Sequence, residues 1–169
     1  MSTIIIGEQT VLELDDGGHG DVLIAQLATL SQTATVISMS IFVNTVSGSL
    51  RLGIYDDLAG VPNNLVTQSA AFVVSAGLNT QSVTQVQMVA GTYWLAFLPS
   101  DGTQSIPATN NSGTRIFTGF SFGPLPSPFP GPSPSSVKHW TLFATLDTNP
   151  SIIIPVQNTT IPIMRGFNM

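Results

Sequence analysis

Gly119-Phe120-Ser121-Phe122-Gly123 has the spacing of a nucleophile elbow, G-x-S-x-G. That motif works at a strand-to-helix turn, where the serine is exposed and the next amides form an oxyanion hole. Here Gly123-Pro124-Leu125-Pro126 follows, so no helix can form. His139 and Asp147 come later in the order Ser, His, Asp, which is not the order of the hydrolases that use this elbow. A serine on a β-strand accounts for the match, and a non-enzymatic protein is expected. Asp15, Asp16 and Asp21, in a glycine-rich turn, offer oxygen ligands that suit Ca²⁺, and Asp56 and Asp57 could do the same. Their spacing fits no EF-hand loop, and solvated turns are the competing reading. No cofactor is expected, with Ca²⁺ as the one candidate ion. With no cysteine and only His19 and His139, thiolate chemistry, disulfides and a His-rich metal centre are excluded.

Glycan binding requires an exposed aromatic face with planar hydrogen-bonding groups beside it. Tyr55, Arg51 and Phe42 fall on outward faces of their strands and could supply both, and Trp94 joins them if its ring faces out. Packing in a core or between subunits competes with this reading, because Tyr, Trp and Arg also dominate protein contacts.

The elements that must position these residues read as strands. Gly91-Thr92-Tyr93-Trp94-Leu95-Ala96-Phe97-Leu98 is apolar on both faces, as a central strand covered on both sides should be, and Leu50 to Asp57 alternates beside it as a partner. Thr3 to Leu14 reads as a first strand, followed by a turn from Asp15 to Asp21. Further strands fall at Val22 to Leu30, at Ile37 to Val43 with Ile37, Met39, Ile41 and Val43 inward, and at Leu65 to Val74 and Gln81 to Val89. Ile116 to Phe122 and His139 to Leu146 are the last, the latter with Trp140, Leu142, Ala144 and Leu146 on one face. Val46-Ser47-Gly48-Ser49 reads as a hairpin turn, and Gly60 and Pro62 mark a polar loop. Many short strands with turn signals and no convincing helix predict an all-β, antiparallel two-sheet sandwich.

Composition narrows the partners. The 169 residues suffice for one domain with a sizeable core. Charged residues make up 8% of the chain, against roughly 25% in ordinary soluble domains, while 43% are hydrophobic. Much of the surface is therefore expected to be covered by copies of the chain or by another protein. A net charge of −5, with four scattered cations, excludes nucleic-acid binding. No stretch approaches the roughly 20 apolar residues of a membrane span. The N-terminal residues lack the basic segment of an export signal, so synthesis in the cytoplasm without ordinary export is expected.

Two segments break the strand pattern. From Gly123 to Pro134 proline occupies every second position, which forbids a central strand. It reads as a stiff loop crossing one end of the sandwich or as a rigid contact arm. After the sandwich, residues 1–147, a tail over 148–169 carries Ile152, Ile153, Ile154, Val156, Ile161, Ile163, Met164 and Phe167 with almost no charge. Such a tail is too apolar to be left in water and is expected to be an assembly contact. Pro155 and Pro162 limit it to edge pairing, which favours a neighbour over its own domain.

The series Asn44 to Asp57 (NTVSGSLRLGIYDD), Ala90 to Phe97, Phe122 to Phe129 and His139 to Leu146 resembles a jelly-roll, carbohydrate-binding-module-like domain of bacterial extracellular proteins and phage tail or virion proteins. The resemblance covers about Gly17 to Leu146. It implies a two-sheet jelly roll used for adhesion or surface display, and it assigns no binding residues one by one. The apolar tail and the missing export signal fit a phage decoration, minor capsid or tail component on the virion surface. Its partners would be other virion proteins or copies of itself, with a cell-surface glycan as a further one. The alternative is a glycan-binding adhesion module at a bacterial surface or in the extracellular space.

Overall fold

The alternation of branched and aromatic residues with small polar ones yields strands throughout, and no helix occurs among the described residues. The computed structural model describes residues 2–131 and 134–149. In order the strands are β1 (Thr3–Gly7), β2 (Leu14–Gly17), β3 (Val22–Leu30), β4 (Ala34–Val43), β5 (Ser49–Leu58), β6 (Val61–Gln68) and β7 (Phe72–Val73). β8 (Gly77–Met88), β9 (Gly91–Pro99), β10 (Ser105–Thr109), β11 (Arg115–Gly119), β12 (Ser135–Ser136), β13 (His139–Trp140) and β14 (Leu142–Asp147) follow.

They form an antiparallel sandwich. One sheet has the order β1-β14-β4-β8. The larger has the order β12-β11-β3-β9-β5-β6, with β7 on β5, and a small third sheet has the order β13-β10-β2. Between the two main sheets lies the core: Val36, Met39, Ile41, Leu142 and Leu146 meet Ile24, Leu50, Leu52, Leu95 and Phe97. β9 is central and pairs with β5, as expected, with Gly53 opposite Ala96 and Tyr55 opposite Trp94; its other neighbour is β3.

Because β9 is apolar on both faces, its second face needs a cover, and the proline-rich segment supplies it. Residues 120–131 lie across the outer face of the larger sheet as a strap. Leu125 and Phe129 join Leu23, Ala25, Tyr55, Trp94, Ala96, Leu98 and Ile116 in a second apolar cluster. The described part of this segment therefore neither crosses an end of the sandwich nor projects as an arm. Its prolines suit the role, since a chain packed on a sheet face needs no ladder of amides.

Other expectations are corrected. The first strand divides at Gly7, where φ is +99° and the chain leaves the sheet; β2 then pairs with β10, so Asp15 and Asp16 lie on a strand rather than in a turn. Val46 to Ser49 is not a hairpin, because β4 and β5 belong to opposite sheets and bury their apolar faces against each other across the sandwich. A bulge between Val36 and Ser38 reverses the alternation there, so Val36 is buried and Ile37 only half-buried. The Gly60 and Pro62 stretch is no loop but a two-residue turn, with positive φ at Ala59 and Gly60, leading directly into β6. The small strand β10, whose Pro107 masked it, has no counterpart in the sequence reading.

Candidate functional site

The outer face of the larger sheet carries Arg51, Tyr55 and Trp94, and the strap occupies it. Tyr55 is 0% exposed and Trp94 1% exposed. The Tyr55 hydroxyl donates to the Pro126 carbonyl at 2.8 Å, and the ring stands edge-on to Phe129, 5.2 Å between centroids. Burial pushes the Tyr55 phenol pKa well above its ordinary value. Trp94 Nε1 donates to Asp57 Oδ1 at 2.8 Å. Arg51 Nη1 donates to the Ser69 carbonyl at 3.4 Å, and its Nε is buried without a hydrogen-bond partner among the described residues. Phe42, on β4, is half-buried and belongs to the opposite sheet. The four residues expected to form a sugar platform are thus divided between two faces, and the two largest rings are core. The physical reason is the strap: an outward position on a strand is exposed only where nothing else is laid over it.

Hydrogen bonds fix the strap from end to end. Asp21, at φ +56°, accepts the Phe120 amide on its carbonyl and the Phe122 amide on Oδ1 at 2.7 Å. Further along, the Leu125 amide donates to Gln68 Oε1, the Leu65 amide to Ser127 Oγ, and the Phe129 amide to the Asn63 carbonyl. Gly53 makes room for Leu125: a Cβ there would meet Leu125 Cδ1, with the Thr67 carbonyl oxygen at 3.1 Å. Beside the strap is an apolar pocket of about 380 Å³ lined by Val61, Pro62, Ile116, Pro128 and Phe129.

The aspartates proposed for Ca²⁺ do not converge. Asp15 accepts from Asn44 Nδ2, Asp21 serves the strap, and Asp16 sits among three donors. His19 Nε2 lies 2.6 Å and Trp140 Nε1 2.8 Å from Asp16 Oδ2, and Lys138 Nζ lies 2.5 Å from Oδ1. Burial works to raise the Asp16 pKa, but these three donors outweigh it and hold the carboxyl far below the usual carboxylate range. Asp56 and Asp57 are likewise committed, to Asn64 and to Gly60 and Trp94. Among the described residues no group of three or more His, Cys, Asp or Glu is arranged to hold a metal ion. Asp16 is instead a knot joining β2 to the turn after it and to β13.

Ser121 is exposed near the start of the strap, with no helix after it among the described residues. His19 bonds to Asp16, and His139 bonds to Glu8 and to the Ser112 carbonyl. Neither histidine is placed as a base for that serine. No protein-family model matches the chain, and no curated protein matches its sequence.

Two polar features went unread in the sequence. Gln26, the buried polar residue of the mostly apolar β3, is 2% exposed and holds the break between β13 and β14. Its Nε2 donates to the carbonyls of Trp140 and Leu142, and its Oε1 accepts the Trp140 amide. A polar residue inside the strand VLIAQLATL was the available signal. The second is a groove of about 290 Å³ beside β1, lined by Gly7, Glu8, Gln26, Ala28, Gly113 and His139. There His139 Nδ1 lies 3.0 Å from the Ser112 carbonyl oxygen and Nε2 lies 3.4 Å from Glu8 Oε2. Burial opposes ionisation of Glu8, yet its bonds from Thr10 and His139 lower the pKa on balance.

The tail residues assigned as an assembly contact, Ile152, Ile153, Ile154, Val156, Ile161, Ile163, Met164 and Phe167, lie outside the described residues. What the structure does place is their root. Thr148 donates to the Ser2 carbonyl through its amide at 2.8 Å and its hydroxyl at 2.9 Å. Thr148 thus lies beside the start of the N-terminal strand.

Proposed function

We propose that this protein is a non-enzymatic structural component of a virion surface, a phage decoration, minor capsid or tail protein. It docks through its termini, the apolar tail above all, and displays a jelly-roll sandwich. The observation that carries the reading is the position of Thr148 next to β1, after which the sequence runs on for 20 residues, 150–169, with Arg165 as their single charged side chain. The described residues already form an extensive core up to Leu146, and an apolar segment of this length is stable only against another surface. Copies of the chain and other virion proteins are the partners, and assembly follows synthesis in the host cytoplasm. Glycan attachment, the other reading, would need an aromatic platform other than Tyr55 and Trp94, which are covered.

The test is light scattering and particle incorporation of the full chain and of a chain ending at Asn149. A defined oligomer or particle-bound full chain, beside a monomeric and unincorporated truncation with an unchanged melting midpoint, is the expected result. Two soluble monomers that load equally onto particles would overturn the proposal.

A further inference from the structure

The free edge of β1 stands out from the other sheet edges. β12 is two residues long. β6 begins with Pro62 near its start, and its Asn63 carbonyl and Leu65 amide are bonded to the strap. β8 is tied across the sandwich by the Thr67 hydroxyl on the Thr84 carbonyl at 2.8 Å. β1 has none of these devices: Thr3-Ile4-Ile5-Ile6-Gly7 carries no charge and no proline, Ile5 is 39% exposed, and no strand pairs with its outer side among the described residues. An unprotected apolar edge is a template for another strand. The larger sheet also extends past it. β1 lies across from β3, and β11 continues beyond β3, so the groove lined by Gly7, Glu8, Gln26, Ala28 and His139 opens next to the edge.

We infer that the outer edge of β1 is the acceptor for Ser151-Ile152-Ile153-Ile154 from the tail of a second copy, added as an antiparallel strand. The inference rests on the reading of the tail as a docking element and assigns its partner. Residues 151–154 repeat the pattern of Thr3-Ile4-Ile5-Ile6, a hydroxyl residue and three isoleucines, so each can present the face the other needs. Both are uncharged, so no repulsion or buried charge opposes the pairing. Four residues at about 3.3 Å each cover about 13 Å, most of the five-residue edge. Pro155 then ends the ladder, as an added edge strand permits.

The chain's own tail is poorly placed for this edge. Thr148 is still bonded to Ser2 on the β14 side of β1. Crossing to the outer side spans two strand spacings, about 9.6 Å. Thr148 to Ser151 reaches only about 10 Å when fully extended, which leaves nothing for the reversal of direction. The result would also be a parallel pair. A neighbour's segment approaches freely, and antiparallel pairing gives the straighter hydrogen bonds.

Because the chain has no cysteine, the contact can be trapped. Full-length Ile5→Cys is mixed with full-length chains carrying cysteine at 152, 153 or 154, one position at a time, and oxidised. The expected result is a mixed disulfide at twice 17.8 kDa from at least one register. In unmodified full chain, amide exchange over Thr3 to Gly7 is expected to be at least ten-fold slower in the oligomer than after dilution. A chain carrying both cysteines that closes internally at high dilution would overturn the assignment to a second copy. An intact, tail-dependent oligomer with no mixed disulfide and unprotected β1 amides would overturn the edge acceptor while leaving tail docking standing. A full chain that is monomeric at every concentration would overturn both.

Discussion

Replacing Gly53 by alanine tests whether the strap is a packed layer. The residue sits on β5 with an ordinary backbone, so alanine brings no dihedral strain and narrows the unfolded ensemble, a gain of about 0.4–1 kcal/mol. Against this, the new methyl meets Leu125 Cδ1 and stands 3.1 Å from the Thr67 carbonyl oxygen and 3.4 Å from Leu65 Cδ1. Overpacking of this kind costs about 1–3 kcal/mol. The net expectation is a loss of about 1–2 kcal/mol. Leu125→Ala alone removes a buried side chain, 4% exposed, and should cost about 2–3 kcal/mol, near the lower end for buried leucine because the strap can settle. In the Leu125→Ala background the main collision is gone, so Gly53→Ala becomes neutral or slightly stabilising. The cycle therefore predicts a coupling of about 1.5–2 kcal/mol, well outside the additivity of independent sites. Urea unfolding followed by tryptophan fluorescence measures all four proteins, since Trp94 and Trp140 are both buried. Additivity within about 0.5 kcal/mol would refute the reasoning that Gly53 exists to seat Leu125.

Tyr55→Phe removes the bond to the Pro126 carbonyl and should cost about 1 kcal/mol, read as a lower urea midpoint with an unchanged slope. Gln26→Leu leaves the Trp140 amide and the Trp140 and Leu142 carbonyls without their partner; a loss of about 3 kcal/mol or more is expected in the same assay. Asp16→Asn should cost about 2–4 kcal/mol at neutral pH, because Lys138 and His19 lose their carboxylate. The pH dependence has a definite sign. The folded Asp16 pKa lies below the unfolded value of about 3.9, so the unfolded state binds the proton first and stability falls as pH drops below about 4. Acid titration of stability should show a shallower loss below pH 4 in Asp16→Asn than in the parent, and equal slopes would contradict the knot.

Much of the sandwich was legible in the residues themselves. The two-faced apolarity of Tyr93 to Leu98 announced a central strand covered on both sides, and the alternation of Leu50 to Tyr55 announced its neighbour. The placement of Trp140 with Leu142 and Leu146 on a core face also follows from period two alone, because side chains on a strand must alternate. What covers a face is a different kind of fact. Period two assigns Tyr55 to the outer side of its sheet, but only the tertiary structure lays Leu125, Pro126 and Phe129 over it and turns a candidate sugar platform into a second core. Sequence could not pair Asp16 with Lys138, 122 positions away, and so a cluster of aspartates read as metal ligands when each had a donor waiting elsewhere. The bulge at Ile37 and the passage of the chain from β4 to β5 between sheets were hidden for the same reason. Local pattern fixes which residues form strands and which side they face, whereas the partner across a sheet, a strap or an ion pair is set by contacts between segments that composition and spacing do not connect.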